Sequence, residues 1–332
     1  MKLAVAAATS LAEGILSRAG VPADDLRLVL EHLLDAERSG HATHGLAQIP
    51  WIVAALQERG VSSEAVDTVQ VGPAAAAVKG NRRLGLVVAQ HATDLAARLA
   101  SEAGVGVVGA SDYTGTTGAL SYYTRRLVAQ DLVGIVVCNS WRHVAPTGSR
   151  LAILGTNPIS IGIPSAGEAI VSDLATAAWA YGAVSLAMKE NRSVPPGVVI
   201  DARGEPSTDP HDADDGALLP FGGHKGYALG LAIELLAGPF VGAKAGRDAV
   251  PGTEGLLIIA MRADLFAPLG AFKGQVDALV QEIKQAPLAP GVDEVVVPGE
   301  RSGRRRRAQA DAPEIEIADA VLRELEALAG GG

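Results

Sequence analysis

The stretch from Leu86 to Ala110 constrains the fold of this chain most. Leu86–Ala103 is rich in Ala and Leu and predicts one long helix that stops at Gly104. The chain then passes directly into the apolar run Val105–Ala110, which predicts a buried strand. Gly104-Val105-Gly106-Val107-Val108-Gly109 matches the spacing G-x-G-x-x-G. A dinucleotide fingerprint needs those glycines after a strand and at the start of a helix, so that a pyrophosphate meets the helix N-terminus. Here the order is reversed, and Gly104 reads as a helix C-cap. Whatever this chain binds, this stretch does not bind it in a Rossmann manner.

The flanking pattern extends the same alternation. Residues 3–60 predict helices. One starts at Pro22 with Asp24 and Asp25, repeats Leu26, Val29, Leu30, Leu33 and Leu34 at helical spacing, and ends near Gly40. Another runs from about Leu46–Pro50 to Gly60. Strands are expected at Val69–Val71, Ala75–Val78 and Val133–Cys138, with a helix near Ala119–Gln130 between the last strand and Val105–Ala110. Further on come an apolar helix at Gly226–Gly238, a strand at Leu256–Met261, and helices at Gln275–Gln285 and Asp319–Leu328. Alternating helix and strand argues for an α/β architecture. Pro195–Pro220 reads as a loop, and so does the charge run Arg301–Arg307, for which anion binding is the minority reading.

The segment Cys138–Pro164 is the most heavily punctuated. A strand ends at Asn139-Ser140, and a loop follows with Pro146, Gly148 and Gly155. Asn157-Pro158 then turns into a second apolar run, Ile159–Ile163. Two buried strands bracketing such a loop are a usual setting for a binding site, although a plain strand connection would look similar. His41-Ala42-Thr43-His44-Gly45 lies at a helix junction, where a histidine can act as an acid or base or merely cap a helix. No carboxylate or cysteine accompanies the pair at metal-ligand spacing, so no metal site is expected. Asp173 follows the apolar run Ala169–Val171, where it can orient a histidine, accept from a ribose or cap a helix. Phe221-Gly222-Gly223-His224-Lys225-Gly226 opens an apolar helix and resembles an anion cradle without Walker spacing. No G-x-S-x-G is present, which argues against a serine hydrolase.

The formal charge of −9, from 28 basic and 37 acidic residues, opposes general binding to nucleic acid or anionic membranes. The single cysteine, Cys138, excludes an internal disulfide and suits a reducing compartment; it reads as a buried, inert thiol. The N-terminus contains Glu13 within an amphipathic pattern and reads as a helix rather than a signal peptide. No apolar run reaches the roughly 18 residues a membrane span needs. A cytoplasmic protein is expected.

Taken in order, these motifs resemble the type 2 malate/L-lactate/sulfolactate dehydrogenase family, whose relatives include ureidoglycolate dehydrogenase, diketogulonate reductase and Δ1-piperideine-2-carboxylate reductase. The resemblance covers nearly the whole chain. It includes Thr43-His44-Gly45, residues 103–109, Gly115–Gly118, residues 138–164 and Asp173–Thr176. It continues through 196–210 and 222–237 to Pro298–Arg301. It implies a non-Rossmann, NAD(P)-binding mixed sheet flanked by helical lobes, in a homodimer with active sites near the subunit interface. The implied division is an N-terminal helical lobe with the catalytic histidine (1–70), a cofactor-binding mixed-sheet domain (71–255), and a C-terminal strand and helices packing back on both (256–332).

The resemblance further implies hydride transfer between NADPH or NADH and C2 of a 2-oxo acid or imino acid. His44 would be the proton donor and Thr43 its neighbour. Ser140, Asp173, Leu174, Ala175, His224 and Lys225, with Gly299 and Glu300, would meet the cofactor. Several positions depart from the family pattern. Gln48 stands where an Arg commonly holds the substrate carboxylate, Tyr113 where a second histidine is common, and Ala177 where Ser is common. Trp141-Arg142-His143 replaces a less bulky stretch, so Arg142 or His143 is a candidate for a relocated anion contact. Tyr113 is a candidate hydroxyl donor. The expectation is a reductase of a modified 2-oxo acid or a cyclic or N-substituted imino acid. An ordinary malate, lactate or sulfolactate dehydrogenase is the first alternative, and a non-catalytic binding or scaffold protein of the same fold the second.

Overall fold

A computed structural model describes residues 1–330. The chain opens with a short strand, β1 (Lys2–Ala4), and continues into α1 (Val5–Arg18) and α2 (Ala23–Ser39). α2 begins where Pro22 sets the backbone, carries Asp24 and Asp25 in the first turn where the helix dipole favours acids, and ends at Gly40 in the left-handed region. A tight turn carrying His44 leads into α3 (Ile49–Arg59). Leu16, Val29, Leu33, Ile49 and Ile52 meet in the core of this helical lobe.

The central sheet begins with β2 (Asp67–Gly72) and β3 (Ala75–Lys79), followed by α4 (Gly85–Ala103), β4 (Val105–Ser111), α5 (Leu120–Val128), β5 (Leu132–Cys138), β6 (Ile159–Ile163) and β7 (Ile170–Leu174). Next come α6 (Tyr181–Lys189), β8 (Val199–Ile200), β9 (Pro206–Ser207), α7 (Asp212–Asp215), β10 (Ala217–Leu218) and α8 (His224–Ala237). The chain closes with β11 (Leu256–Arg262), α9 (Leu269–Gln285), α10 (Glu300–Ala308), β12 (Glu314–Glu316) and α11 (Asp319–Gly330). Seven strands form one mixed sheet in the order β2-β3-β4-β11-β5-β6-β7, with only β3 and β4 parallel. The expected mixed α/β sheet with helical flanks is therefore present.

The glycines around 104–109 turn out to serve packing. Gly104 caps α4 at φ +84°. A Cβ on Gly106 would run into the Ala96 carbonyl of α4, and one on Gly109 would meet Val241 Cγ1 at 2.7 Å. Bare backbone is what lets α4 lie flat on β4.

Three features depart from the sequence reading. The N-terminus is a strand before it is a helix, because β1 pairs antiparallel with β12 near the far end of the chain. The stretch 195–220 is not simply a loop: β10-β8-β9 form a small antiparallel sheet there. The charge run Arg301–Arg307 is not a loop but most of α10. Arg is a good helix former, and the run is partly neutralised: Arg304 pairs with Glu300 one turn back and with Glu294, and Arg307 pairs with Glu168. α6 carried no signal strong enough to be expected.

Candidate active site

The turn with His44 is shaped by a carboxylate beneath it. Glu37 of α2 accepts the Leu46 amide at 2.7 Å, and a Cβ on Gly45 would collide with the Glu37 side chain. Burial pushes the Glu37 carboxyl up to about 7. The start of α6 closes the other side, where a Cβ on Gly182 would lie 2.9 Å from Thr43 Cβ. His44 Nδ1 sits 3.1 Å from Thr43 Oγ1. Among the described residues Nε2 has no hydrogen-bond partner and is not a fully buried atom, so it is open to the cavity. Gln48 donates to the Thr43 carbonyl at 2.5 Å, tightening the turn.

His44 opens into a cavity of about 500 Å³ between the helical lobe and the sheet. It is framed by the α3 face, the loop 113–119 before α5, the ends of β5 and β7, and the loop before β11. Asp173, near the end of β7, accepts the Ser121 amide of α5 at 2.8 Å, so the helix N-terminus fixes this carboxylate at the cavity wall. Burial lowers the His44 pKa below the usual histidine value; the Asp173 carboxylate pulls it back up and His41 adds to the lowering. Tyr113 is buried with its phenol pushed well above its ordinary value. Cys138 lines the same cavity, and burial raises its thiol to about 12, which leaves it inert as expected.

The expected site residues divide into two groups. Thr43, His44, Gln48, Tyr113, Ser140, His143, Asp173, Leu174 and Ala175 all line this cavity. Arg142 is exposed and outside it, and so are His224 and Lys225, which project from the N-terminus of α8. Burial pushes the His143 pKa down to about 4, so this ring carries no charge at neutral pH. Neither residue considered as a relocated anion contact supplies a cation to the cavity. Gly299 lines a second cavity of about 350 Å³, together with Arg125, Gly303, Arg306 and Arg307. Glu300 is held by Lys284, Arg304 and the Val297 amide, which keep its carboxyl low.

Sequence reasoning missed the residue that organises the punctuated segment 138–164. Glu234 of α8 is only 2% exposed. Its carboxylate accepts from Asn157 at 2.6 Å, from Gly246 at 2.8 Å and from Gly155 at 3.3 Å. Asn139 in turn accepts the Gly255 amide at 2.8 Å, and Asn157 accepts that of Ser140 at 3.2 Å. Fully partnered buried networks of this kind fix a single arrangement. The available signal was one acid inside the otherwise apolar run Leu229–Leu236. Trp51, Glu58, Tyr181 and Glu254, also on the cavity wall, were missed as well.

A half-buried histidine beside a fixed carboxylate, in a roomy cavity at a sheet edge, fits an oxidoreductase. Residues 3–326 match the family model for malate/L-lactate dehydrogenase, and the chain belongs to that family. It is 37% identical over 327 residues to an L-sulfolactate dehydrogenase from Methanothermobacter thermautotrophicus, covering 95% of this chain and 92% of the relative. The solved sulfolactate dehydrogenase from Methanocaldococcus jannaschii superposes with a TM-score of 0.89 at 33% identity, covering 100% of this chain and 97% of the other. A Δ1-piperideine-2-carboxylate reductase from Pseudomonas syringae pvar. tomato gives a TM-score of 0.86 at 31% identity, with 99% of each chain covered. The protein is thus a dehydrogenase of the nicotinamide-dependent class. Among the described residues no helix is long and apolar enough to cross a membrane.

Proposed function

We propose that this enzyme reduces C2 of a modified 2-oxo acid, or of a cyclic or N-substituted imino acid, with NADPH or NADH and with His44 as proton donor. The observation that carries this reading is the His44–Asp173 cavity, which offers an acid–base group yet is lined by no Lys or Arg side chain. A 2-oxo diacid brings two anionic groups to this lining, where a substrate with one carboxylate brings one, so the diacid is the more disfavoured. Reduction sends the π electrons of C=O or C=N to the heteroatom, and His44 Nε2 supplies the proton that neutralises it. Thr43 orients the ring through Nδ1. Gln48, Tyr113 and Ser140 add neutral polar groups to the lining of the same cavity.

The residues present fit a nicotinamide dinucleotide. The first cavity lies in the size range of ligand sites, and both Ser140 and Asp173 are among its lining residues, which supports this reading. The second cavity opens onto β7 at Val171, two residues from Asp173 and roughly 7 Å along the strand. Its arginines suit a phosphate-bearing end, and Gly299, where a Cβ would lie 2.8 Å from the Val171 carbonyl, keeps the chain tight against β7 at that cavity. When bound, the reduced cofactor supplies the hydride. An exposed apolar strip of Leu231, Leu235, Leu236 and Phe240 on and after α8 supports a homodimer, and the single buried thiol supports a cytoplasmic setting.

The decisive experiment is a fluorescence titration with NADH and NADPH, followed by a substrate screen. The panel holds 2-oxo acids with and without amines, and cyclic imino acids. Binding of either cofactor with turnover of an imine or modified oxo acid is expected. Binding of neither removes the reading. The similarity to sulfolactate dehydrogenases favours a second reading, an ordinary malate, lactate or sulfolactate dehydrogenase. Preferred turnover of sulfopyruvate, oxaloacetate or pyruvate in the same screen selects it.

A further inference from the structure

The side of the first cavity formed by α3 has a composition that hydride transfer does not require. Trp51, Ala54, Ala55 and Glu58 recur at helical spacing and present one face of α3 to the cavity. Trp51 meets Trp141 edge-on, with ring centroids 5.9 Å apart at 87°, and meets Tyr181 at 6.4 Å and 72°. Tyr181 is stacked on His143 at 3.8 Å, and Trp141 stands at 83° to that same imidazole. Rings set nearly at right angles make the walls of a box rather than a stack. Aromatic residues are only 4% of the chain, so their gathering here does not follow from general abundance.

The charges around this box are of one sign. Glu58 and Asp173 line the cavity, with Glu254, whose carboxyl burial pushes up to about 7, whereas among the described residues no Lys or Arg does. Asp173 is engaged by the Ser121 amide and Glu254 by the Gly252 amide. Glu58 forms no ion pair among the described residues. Its neighbour Arg59 turns to the Pro251 carbonyl at 2.9 Å. Burial keeps the His143 ring neutral near pH 7. Aromatic faces are electrostatically negative and attract a cation placed over them, more so when water is excluded. A second carboxylate or a sulfonate would instead enter a site with no cation to receive it, at a cost of several kcal/mol.

We infer that the α3 side of the cavity binds a positively charged nitrogen, a protonated or alkylated amine carried by the substrate away from the reacting carbon. The inference rests on the reductase reading above and names the substrate's distal group. Trp51, Trp141 and Tyr181 provide the faces, and Glu58 provides the counter-charge at the mouth.

The test needs no turnover. Choline and its uncharged isostere 3,3-dimethyl-1-butanol are titrated into the full-length protein and followed by ligand-observed NMR. Choline is expected to bind at least about tenfold more tightly than the neutral isostere. Glu58→Gln and Trp51→Leu should each weaken choline by about 3- to 30-fold, the range from an exposed to a desolvated cation contact, and leave the isostere unchanged. Trp51 is 41% exposed, so its replacement spares the core, and Glu58→Gln is isosteric on an exposed position. Equal affinity for the two probes, or choline binding that neither variant moves, overturns the inference. Cofactor binding and substrate turnover are scored separately, so loss of the reductase reading is distinguishable from loss of this one.

Discussion

The two cavities share their supporting elements and differ in nearly everything else. Both are built on β7 and α5: Asp173 and Leu120 face the first, Val171 and Arg125 the second. The first gathers carboxylates, aromatic rings and histidines whose pKa values burial has lowered. The second gathers arginines and glycines, with Asp35 and Glu168 as partners of Arg125 and Arg307. A group that must give up a proton near neutral pH needs a desolvated, tunable environment. A group that only has to hold an anion needs a permanent cation and bare backbone. One helix–strand pair serves both, because the α5 N-terminus faces the first cavity and its arginine-bearing C-terminal half faces the second.

Removing the proposed proton donor should produce the largest separation. His44→Ala is expected to lower the rate of reduction by about 10²- to 10⁴-fold, while dissociation constants for NADH and NADPH stay within about threefold. Steady-state kinetics beside a fluorescence titration checks both, and near-normal turnover would take the acid out of the first cavity altogether. Distorting the wall of the first cavity comes next. Gly118 has φ +71°, and a Cβ there would lie 2.7 Å from Leu86 Cδ2 and closer still to His32 Nε2. Gly118→Ala should cost about 2–4 kcal/mol in urea denaturation. Gly148→Ala also has positive φ but meets nothing within 4 Å, and should cost only about 1–2 kcal/mol. Equal costs would mean that packing against His32 is unimportant.

In the second cavity, Arg306→Ser should weaken cofactor binding by about tenfold without changing the pH profile of reduction. A larger loss for NADPH than for NADH would place the 2′-phosphate there. No loss for either would detach this cavity from the cofactor.

The smallest effect is the most diagnostic of the difference. His44 has a lowered pKa, so its protonated form is lost as pH rises through a value below the ordinary 6.5. Reduction should therefore fall, and oxidation rise, across that range. Asp173 raises the His44 pKa, so Asp173→Asn should move the transition to lower pH, whereas Arg306→Ser should leave it in place. A profile that Arg306→Ser shifts and Asp173→Asn does not would reverse the assignment of the two cavities.

Much of this was legible locally. The period of Leu26–Leu33, the acids after Pro22 and the stop at Gly40 define α2, and the helix–Gly–strand order at 103–105 excludes a Rossmann turn. His44, Asp173 and Ser140 were legible through the family motifs. The helix at 300–308 is not, because a charge run reads as a solvated loop until Glu168, Glu294 and Glu300 are seen beside its arginines. Arg142 and His143 are candidates for an anion contact by residue type alone, which says nothing of Arg142's exposure or of the burial that keeps His143 neutral.

By itself the sequence determined the elements and the chemical types available, because hydrophobic period, caps and turn residues act over a few neighbouring positions. Only the tertiary structure decided that β11 lies between β4 and β5, that β1 closes on β12, and that Glu234 ties Asn157, Gly155 and Gly246. It alone set Trp51 against Trp141 and Tyr181 around a cavity without a Lys or Arg. Those meetings join residues tens to hundreds of positions apart. They follow from how the strands are ordered and how the helices pack, which no local pattern encodes.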